Sequence, residues 1–324
     1  MKALVCSELT GYQNLTIEDV PRPEIRPGAV RIRVRAAGVN FSDTLITKGT
    51  YQVKVPTPFT PGMEAAGTII EVGEGVDLPL GTRVATLLDY GAYAEEIVID
   101  VDRVVTIPMM MSFEEAAGFM VTYGTSHIGL RHRGQLKAGE TLLVHGAAGG
   151  VGLTAVEIGR KIGATVIATA SSEDKLAITR EYGADHTILS TDEDLRDQVL
   201  ALTNGRGADV VYDPVGGDLF TQSLRCIAWE GRLLHIGFAS GNIPQVPANY
   251  LLVKNCASIG VYWGAYIQKD PQVLVAATRE LMQWYAEGAL KPRISQTYPL
   301  EEGVEALKAL VERRTTGKVV LTVG

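Results

Sequence analysis

A run of small residues between positions 145 and 152 has the composition and spacing to hold a phosphate group. The run, HGAAGGVG, follows the apolar segment 141–144 and opens a segment with helical periodicity. Amides at a helix N-terminus lack partners and carry partial positive charge, and glycine lets a phosphate approach them closely. In the G-x-G-x-x-G frame of dinucleotide-binding turns, Ala147 takes the first position, and Gly149 and Gly152 take the other two. This context predicts a pyrophosphate site made of Ala147, Gly149, Gly150, Val151 and Gly152.

The end of the next strand indicates which nicotinamide cofactor is bound. Sites for NAD usually place Asp or Glu there, on the ribose hydroxyls. In this chain the strand 165–169 runs into Ala170, Ser171 and Ser172 instead. The two serine hydroxyls can donate to a 2′-phosphate, and Lys175 can pair with it as a point charge. We therefore expect NADPH as the cofactor, bound in part by Ser171, Ser172 and Lys175.

Strands and helices alternate around this turn. Six apolar runs have the length of buried strands: 142–144, 166–168, 187–189, 210–212, 233–236 and 258–261. Four segments between them have helical periodicity: 151–162, 173–182, 195–202 and 219–227. Such alternation requires a parallel sheet covered on both faces, and six strands match the doubly wound dinucleotide fold. We predict an α/β unit built on one parallel sheet.

The first third of the chain has a different character. Its short candidate strands are separated by glycine-rich turns, which is typical of barrel-like or sandwich-like β domains. In 30–34, apolar residues alternate with Arg31 and Arg33, which predicts a strand whose arginine face is exposed. Ser112 and Glu115 have the spacing of a capping box and predict the start of a helix where this region ends.

The C-terminal tail changes character again. It has two helical segments, 270–287 and 300–313, and one final strand, 318–323. Because a single strand cannot form a domain, the tail is expected to pack onto the N-terminal β domain. We therefore predict a dinucleotide-binding domain at 121–263, inserted in a β-rich domain that is formed by 1–120 and 264–324.

Composition excludes several classes of protein. The net charge is −7 over 324 residues and no long basic run occurs, so nucleic acid is not an expected partner. No apolar stretch approaches the roughly 20 residues needed to cross a bilayer, so no membrane association is expected. The three cysteines, Cys6, Cys226 and Cys256, are far apart, which argues against a disulfide scaffold and a four-cysteine zinc site. Reduced thiols in a cytoplasmic protein are expected.

Six segments, in the same order along the chain, resemble one family. They are 37–43, 61–67, 91–95, 144–152, 237–241 and 316–318. The resemblance is to the zinc-independent quinone oxidoreductases of the medium-chain dehydrogenase/reductase superfamily. It implies an α/β protein with a GroES-like β-barrel domain from both chain ends and a Rossmann doubly wound parallel sheet inserted before the C-terminal segment. It also implies a cleft for NADPH and a homodimer through the last Rossmann strand, near 258–261.

The resemblance also shows where this chain departs from zinc-dependent relatives. Those relatives carry cysteine where this chain has Asn40, and histidine where it has Met63. A carboxamide and a thioether are poor zinc ligands, and Glu64 alone cannot hold the metal. We therefore expect a site without metal. The resemblance places Asn40 against the nicotinamide ribose or the substrate instead.

A site without a Lewis acid suits acceptors that are already electrophilic, such as quinones, enones, enals and enoyl thioesters. After hydride transfer, the developing enolate or quinol oxygen needs a hydrogen bond and a proton. Tyr51 resembles the proposed proton donor of related enoyl reductases, and a phenol is protonated at neutral pH. The alternative is a rim tyrosine that only covers the nicotinamide. Leu45 stands where several quinone reductases carry tyrosine, which makes that part of the substrate pocket more apolar.

The resemblance assigns Thr122, and position relative to the predicted strands assigns the remaining site residues. Thr122 and Phe238 are expected to contact the cofactor, and Lys318 is expected to approach its phosphates. Trp263 and Tyr266 follow the sixth strand and either shape an apolar acceptor pocket or belong to the core.

These residues indicate an NADPH-dependent oxidoreductase that reduces a small quinone or conjugated carbonyl compound. Two alternatives stay open. One is a reductase of 2-enoyl-CoA or another acyl thioester, and the other is an NADPH-binding sensor or RNA-associated protein with little turnover.

Overall fold

The computed structural model describes residues 1–191 and 194–324. It divides the chain into two units. The first consists of Met1–Val121 together with Pro292–Gly324, and the second of Thr122–Lys291. The chain therefore leaves the first unit once and returns to it once, as an inserted domain requires.

The regular elements in the N-terminal part of the first unit are mostly strands. Its elements are β1 (Lys2–Val5), β2 (Thr16–Asp19), β3 (Ala29–Val39), α1 (Phe41–Thr47), β4 (Glu64–Val72), β5 (Arg83–Leu87), β6 (Glu96–Asp100), β7 (Val104–Thr106) and α2 (Phe113–Ala117). The predicted capping box begins α2, because Ser112 Oγ accepts from the Glu115 amide at 3.0 Å and the Glu115 carboxylate accepts from the Ser112 amide at 2.9 Å.

The second unit alternates strands and helices. Its elements begin with α3 (Met120–His127), which spans the boundary, and a π-helical turn at Ile128–Arg133. They continue with β8 (Thr141–Val144), α4 (Gly150–Ile162), β9 (Thr165–Ala170), α5 (Glu173–Glu181), β10 (His186–Leu189), α6 (Leu195–Leu202), β11 (Ala208–Asp213), α7 (Asp218–Cys226), β12 (Ile227–His235), α8 (Ala248–Lys254), β13 (Ala257–Gly260), α9 (Tyr266–Lys269) and α10 (Pro271–Ala286). The chain then returns to the first unit through β14 (Ile294–Pro299), α11 (Gly303–Val311) and β15 (Lys318–Thr322).

The sheet of the second unit has the predicted doubly wound topology. Its strand order is β10-β9-β8-β11-β12-β13, and every pairing is parallel. Buried apolar side chains of β8, β9, β11 and β12 form the centre of its core. The order reverses between β8 and β11, so the loops after these two strands meet at a topological switch point.

The sheet of the first unit combines strands from both chain ends. Its order is β14-β15-β3-β4-β5-β7, with β6 also paired to β3. The tail strand β15 lies antiparallel to β3, with Val319 opposite Val39. The predicted return of the final strand to the β domain is thus observed in the structure.

One predicted exposed residue of β3 is buried. Arg33 is exposed, but Arg31 keeps only 6% of its surface accessible. Its guanidinium donates to Glu71 at 2.7 Å and lies 3.7 Å from Glu96. These two carboxylates neutralise the guanidinium, so the alternation rule does not hold at this position.

The second unit extends beyond the predicted boundary at 263. Helix α10 belongs to it, because His127 Nε2 lies 2.6 Å from the Glu280 carboxylate and Lys161 lies 2.9 Å from Glu287. Only the part of the tail from Pro292 onward lies in the first unit. In the described chain, none of the helices combines the length and apolar character that crossing a bilayer requires.

Candidate functional site

The glycine turn has the local geometry of a phosphate site. It follows β8 at the switch point, and Gly149 is the N-cap of α4. The amides of Gly150, Val151 and Gly152 lie in the first turn of α4, where a helix offers no backbone acceptor. Three donors therefore point out of the N-terminal end of a thirteen-residue helix.

The two later glycines of the pattern have different functions. A Cβ atom at Gly152 would lie 2.8 Å from Ala147 Cα and closer still to the Gly146 carbonyl, so the helix packs on the turn only with glycine there. A Cβ at Gly149 would meet only Gly146 O, at 3.3 Å, and otherwise project into open space. This open side is a cradle that a side chain would fill, and it fits the pyrophosphate of a dinucleotide.

The first position of the pattern does not bind phosphate in this arrangement. Ala147 is fully buried, and its amide donates to Thr169 O at 2.9 Å. The predicted contact of Ala147 with pyrophosphate is therefore replaced by a structural bond between the turn and β9.

The end of β9 presents the predicted serines. Ser171 is exposed, and Ser172 is the N-cap of α5, where its Oγ accepts from the Lys175 amide at 3.4 Å. This bond uses an oxygen lone pair, so the hydroxyl proton of Ser172 can still be donated to a phosphate. Glu173 forms an ion pair with Arg180 at 2.6 Å within the same helix. Its charge is thereby partly neutralised.

Asp213, at the end of β11, was not identified from the sequence. Its side chain is buried, and Oδ1 accepts from the amides of Val215 and Gly216, both at 2.8 Å. Oδ2 is also buried and has no hydrogen-bond partner among the described residues. The sequence did contain a signal for Asp213, because it is a charged residue at the end of an apolar strand. Asp213 fixes the loop beside the glycine turn.

His145 begins the turn as a structural residue. It is fully buried, with Nδ1 3.0 Å from Thr169 Oγ1 and Nε2 2.6 Å from Ser223 Oγ. Burial lowers the pKa of His145, although the negative charge of Asp213 opposes the shift. His145 is therefore neutral at pH 7 and joins β8 to its neighbours.

Helix α4 also holds both ends of the second unit. Thr154 Oγ1 donates to the Thr122 carbonyl at 3.2 Å. Glu157 accepts from the Tyr123 hydroxyl at 2.5 Å and from the Lys291 amide at 2.8 Å. Thr122 is buried, and its carbonyl is engaged by α4.

In the first unit, Asn40 lies in a buried polar cluster rather than at an open surface. It is the N-cap of α1, and its amide N–H donates to Asp43 Oδ2 at 2.8 Å. Its Nδ2 donates to Glu64 Oε1 at 3.0 Å and to Gly38 O at 3.3 Å. Its Oδ1 accepts from Lys318 at 2.8 Å. The backbone N–H, Nδ2 and Oδ1 of Asn40 are engaged inside the unit, and Oδ1 keeps a second lone pair. The contact of Asn40 with ribose or substrate stays a prediction.

Lys318 is buried in the same cluster. Its ammonium donates to Val39 O at 2.9 Å, Asn40 Oδ1 at 2.8 Å and Glu64 Oε1 at 2.7 Å. An ammonium has three N–H donors, and all three are used. This arrangement argues against the predicted contact of Lys318 with cofactor phosphates.

Asp43 and Tyr93 complete the cluster. Both side chains are fully buried, and the Tyr93 hydroxyl donates to Asp43 Oδ2 at 2.6 Å. Burial raises the pKa of Asp43 to about 6, against the hydrogen bonds from Tyr93 and Asn40.

The donor set of this cluster does not fit zinc. The Lys318 ammonium already lies against Asn40 and Glu64, and Met63 Sδ accepts from Ser42 Oγ at 3.2 Å. Across the ranges that the structure describes, no group of three or more His, Cys, Asp or Glu side chains is arranged to hold a metal ion.

The predicted pocket residues fall in both units. Tyr51 is half-buried and packs against the core of the first unit, and Leu45 is half-buried in α1. Phe238 follows β12 and remains 37% exposed. The Trp263 ring packs on Gly124, where a Cβ would lie 2.7 Å from Nε1, and Tyr266 packs edge-on against His132. Trp263 and Tyr266 therefore have packing partners inside the second unit.

Comparison with known proteins identifies both halves of the chain. Residues 26–109 match the family described as alcohol dehydrogenase GroES-like domain, and residues 150–283 match the one described as zinc-binding dehydrogenase. The chain is similar to the quinone oxidoreductase-like protein 2 homolog of Nematostella vectensis, with 42% identity over 99% of this chain and 88% of that protein. The chain belongs to the zinc-independent quinone oxidoreductase family.

Solved structures agree with this family. The Escherichia coli quinone oxidoreductase complexed with NADPH has a TM-score of 0.92 and 30% identity, over 99% of this chain and 100% of that one. The CurK enoyl reductase has a TM-score of 0.90 and 30% identity, over 100% and 99%. This quinone oxidoreductase homologue is therefore an oxidoreductase with a GroES-like domain and a Rossmann sheet, which confirms the predicted fold class.

Proposed function

We propose that this protein uses NADPH to reduce a quinone or another conjugated carbonyl compound. The observation that carries the proposal is the cradle at the N-terminus of α4, with three first-turn amides and open space at Gly149. A pyrophosphate is the ligand that such a helix end binds best. The NADPH complex of the Escherichia coli relative supports the same cofactor here.

The residues of the second unit bind and orient the cofactor. The amides of Gly150, Val151 and Gly152 hold the pyrophosphate, and the Ser171 and Ser172 hydroxyls with the Lys175 ammonium hold the 2′-phosphate. Phe238, partly exposed beyond β12, covers one side of the cofactor. When bound, NADPH supplies a hydride from C4 of its nicotinamide.

The residues of the first unit supply the proton. Tyr51 donates from its phenol to the oxygen that gains charge, because a phenol keeps its proton at neutral pH. Leu45 contributes an apolar wall that favours an uncharged acceptor. The donor set around Asn40 and Glu64 does not fit zinc, so the acceptor must already be electrophilic.

A second candidate acceptor is a 2-enoyl thioester. The similarity to an enoyl reductase favours it, since reduction of an enone and of an enoyl thioester share one hydride step. The two candidates differ in the acceptor and not in the cofactor site.

The oxidation of NADPH, followed by absorbance against quinones, enals, enones and enoyl-CoAs, tests the function. We expect turnover with at least one class, and slower turnover for Tyr51→Phe than for the control Tyr90→Phe, whose ring is 45% exposed. In parallel, a fluorescence titration is expected to give tighter binding of NADPH than of NADH, with the preference reduced in Lys175→Ala. Cofactor binding without turnover of any acceptor would favour the sensor hypothesis. Equal affinity for both cofactors would contradict the assignment of Ser172 and Lys175.

A homodimer and a cytoplasmic location are further parts of this proposal. Strand β13 is the last of its sheet, and Leu252 and Val253 on the preceding α8 are 80% and 70% exposed. A second copy that pairs along β13 would cover this apolar surface. The three cysteines are buried free thiols, which fits a reducing compartment.

A further inference from the structure

The geometry points to Lys318 as a positioning residue: its ammonium acts as a fixed internal cation that sets Asn40, Glu64 and the start of α1. The kinetic part of this inference rests on the proposed function, because it concerns turnover of the acceptor. The structural part stands on the contacts alone.

The ammonium sits in a cage of three oxygens from two parts of the chain, the end of β3 and the start of β4. These are Val39 O at the end of β3, Asn40 Oδ1 and Glu64 Oε1, at 2.9, 2.8 and 2.7 Å. Lys318 itself comes from β15, so the contact closes over 278 residues of chain. Glu64 is fully buried, and Lys318 and Asn40 keep only 6% and 7% of their surfaces exposed. An ionised carboxylate at that depth is costly unless a cation pairs with it.

The ammonium also determines which way the Asn40 amide points. Since an ammonium only donates, the carbonyl oxygen of the amide must face it. Nδ2 is then directed to Glu64 Oε1 and Gly38 O. These two oxygens only accept, so they favour the same orientation, and loss of the cation removes the donor that Oδ1 faces. The turn from β3 into α1, and the segment with Tyr51 that follows, begin at this residue.

Glu64 extends the effect of the cation to a second element. Its Oε1 accepts from both Lys318 and Asn40, while Oε2 accepts from the Val121 amide at 2.9 Å. Val121 is the last residue of the first unit before the chain leaves it. One ion pair therefore positions α1 and the departing chain together.

The surroundings leave little room for another arrangement. A Cβ at Gly38 would lie 2.7 Å from the Glu64 carboxyl carbon, so the backbone packs directly on the carboxylate. Asp43 adds a second buried acid, and its Oδ1 has no hydrogen-bond partner among the described residues. Because the cluster holds two acids and one lysine, loss of the lysine leaves no buried positive charge beside them.

The cage gives a specific test by chemical rescue. Lys318→Ala removes the ammonium and three carbon atoms, and the cavity that is left matches a small primary ammonium such as propylammonium. We expect its kcat for the best acceptor to fall about 10- to 100-fold, since misplacing a site by 1 Å has effects of this size. NADPH affinity is expected to stay near that of the wild type, because all three N–H donors of the ammonium are used inside the first unit.

Added propylammonium is expected to restore kcat in a saturable manner, while 1-propanol, of similar size and without charge, is expected not to. Lys318→Met removes the charge but fills the cavity, so it is expected to lose turnover without rescue. The matched control is Lys308→Ala, on the exposed side of α11 with a surface ion pair to Glu305, which is expected to behave like the wild type with or without amine.

Thermal unfolding provides a readout that does not depend on activity. Propylammonium that binds the cage must raise the melting temperature of Lys318→Ala, because a ligand of the native state stabilises it. If Lys318→Ala folds only when purified with the amine, that result also supports the cage. Equal effects of propylammonium and propanol, or unchanged turnover and stability in Lys318→Ala, would overturn the inference. Absence of turnover in the wild type would instead refute the proposed function and leave the melting test intact.

Discussion

The two glycines of the cofactor turn give a pair of substitutions with opposite expected effects. In Gly152→Ala the new Cβ would lie 2.8 Å from Ala147 Cα, whereas carbon atoms in contact are about 3.5–4.0 Å apart. The turn must therefore move by about 1 Å, and overpacking of this kind costs about 1–3 kcal/mol. In a domain of this size, that corresponds to a fall in melting temperature of roughly 2–12 °C.

Gly149→Ala is expected to leave stability nearly unchanged. Gly149 has φ −79° and ψ 174°, a conformation that alanine adopts freely, and its Cβ would have one protein neighbour at 3.3 Å. The methyl group instead fills the open side of the cradle. Loss of one hydrogen bond to a charged phosphate costs about 1.5–3 kcal/mol, so NADPH affinity should fall roughly 10- to 150-fold.

Both effects are measured on the same samples. Thermal unfolding without ligand gives the change in stability, and fluorescence titration with NADPH gives the affinity. Each variant is the control of the other, because they differ by three positions in one turn. Wild-type affinity in Gly149→Ala would refute the assignment of this turn to pyrophosphate. A wild-type melting temperature in Gly152→Ala would show that the close contact with Ala147 is not required.

Two further predictions concern a buried acid and the sheet edge. Burial raises the pKa of Glu157 from 4.5 to about 7. The folded protein therefore holds this proton more tightly than the unfolded chain does. The stability that the protonated Glu157 contributes is lost as pH rises from 4.5 to about 7. The unfolding free energy of the wild type minus that of Glu157→Gln should therefore decrease by roughly 3 kcal/mol between pH 4.5 and 8, and a constant difference would contradict this pKa. Sedimentation of the wild type should show a dimer. The double substitution Leu252→Lys and Val253→Lys should shift the equilibrium toward monomer. A variant that stays dimeric would place the interface elsewhere.

The cofactor turn could be predicted from sequence because its signal is local. Gly149 and Gly152 lie three positions apart, between a strand and a helix that each have a clear period. The amide of Ala147 is different, since its acceptor is Thr169 on the next strand. A pattern of residue types does not show which backbone amides will be hydrogen-bonded to other strands in the folded protein.

The cluster around Lys318 could not be predicted in the same way. Its carboxylate partner Glu64 is 254 residues away in the chain. A lysine near a chain end is usually exposed, and only the pairing of β15 with β3 brings it inside. Similarly, periodicity identified the helix now seen as α10, but not the surface on which it packs. That surface is set by partners such as His127, far earlier in the chain.

The bonds from α4 to Thr122, Tyr123 and Lys291 bring the entrance and the exit of the inserted domain to one helix. Both ends of the inserted domain are therefore hydrogen-bonded to a helix of that same domain, and these bonds do not involve the β-rich domain. The positions at which the chain enters and leaves the inserted domain are therefore held by contacts within that domain itself. One continuous stretch of coding sequence, for Thr122–Lys291, thus encodes the whole nucleotide-binding unit together with the bonds that hold its two ends.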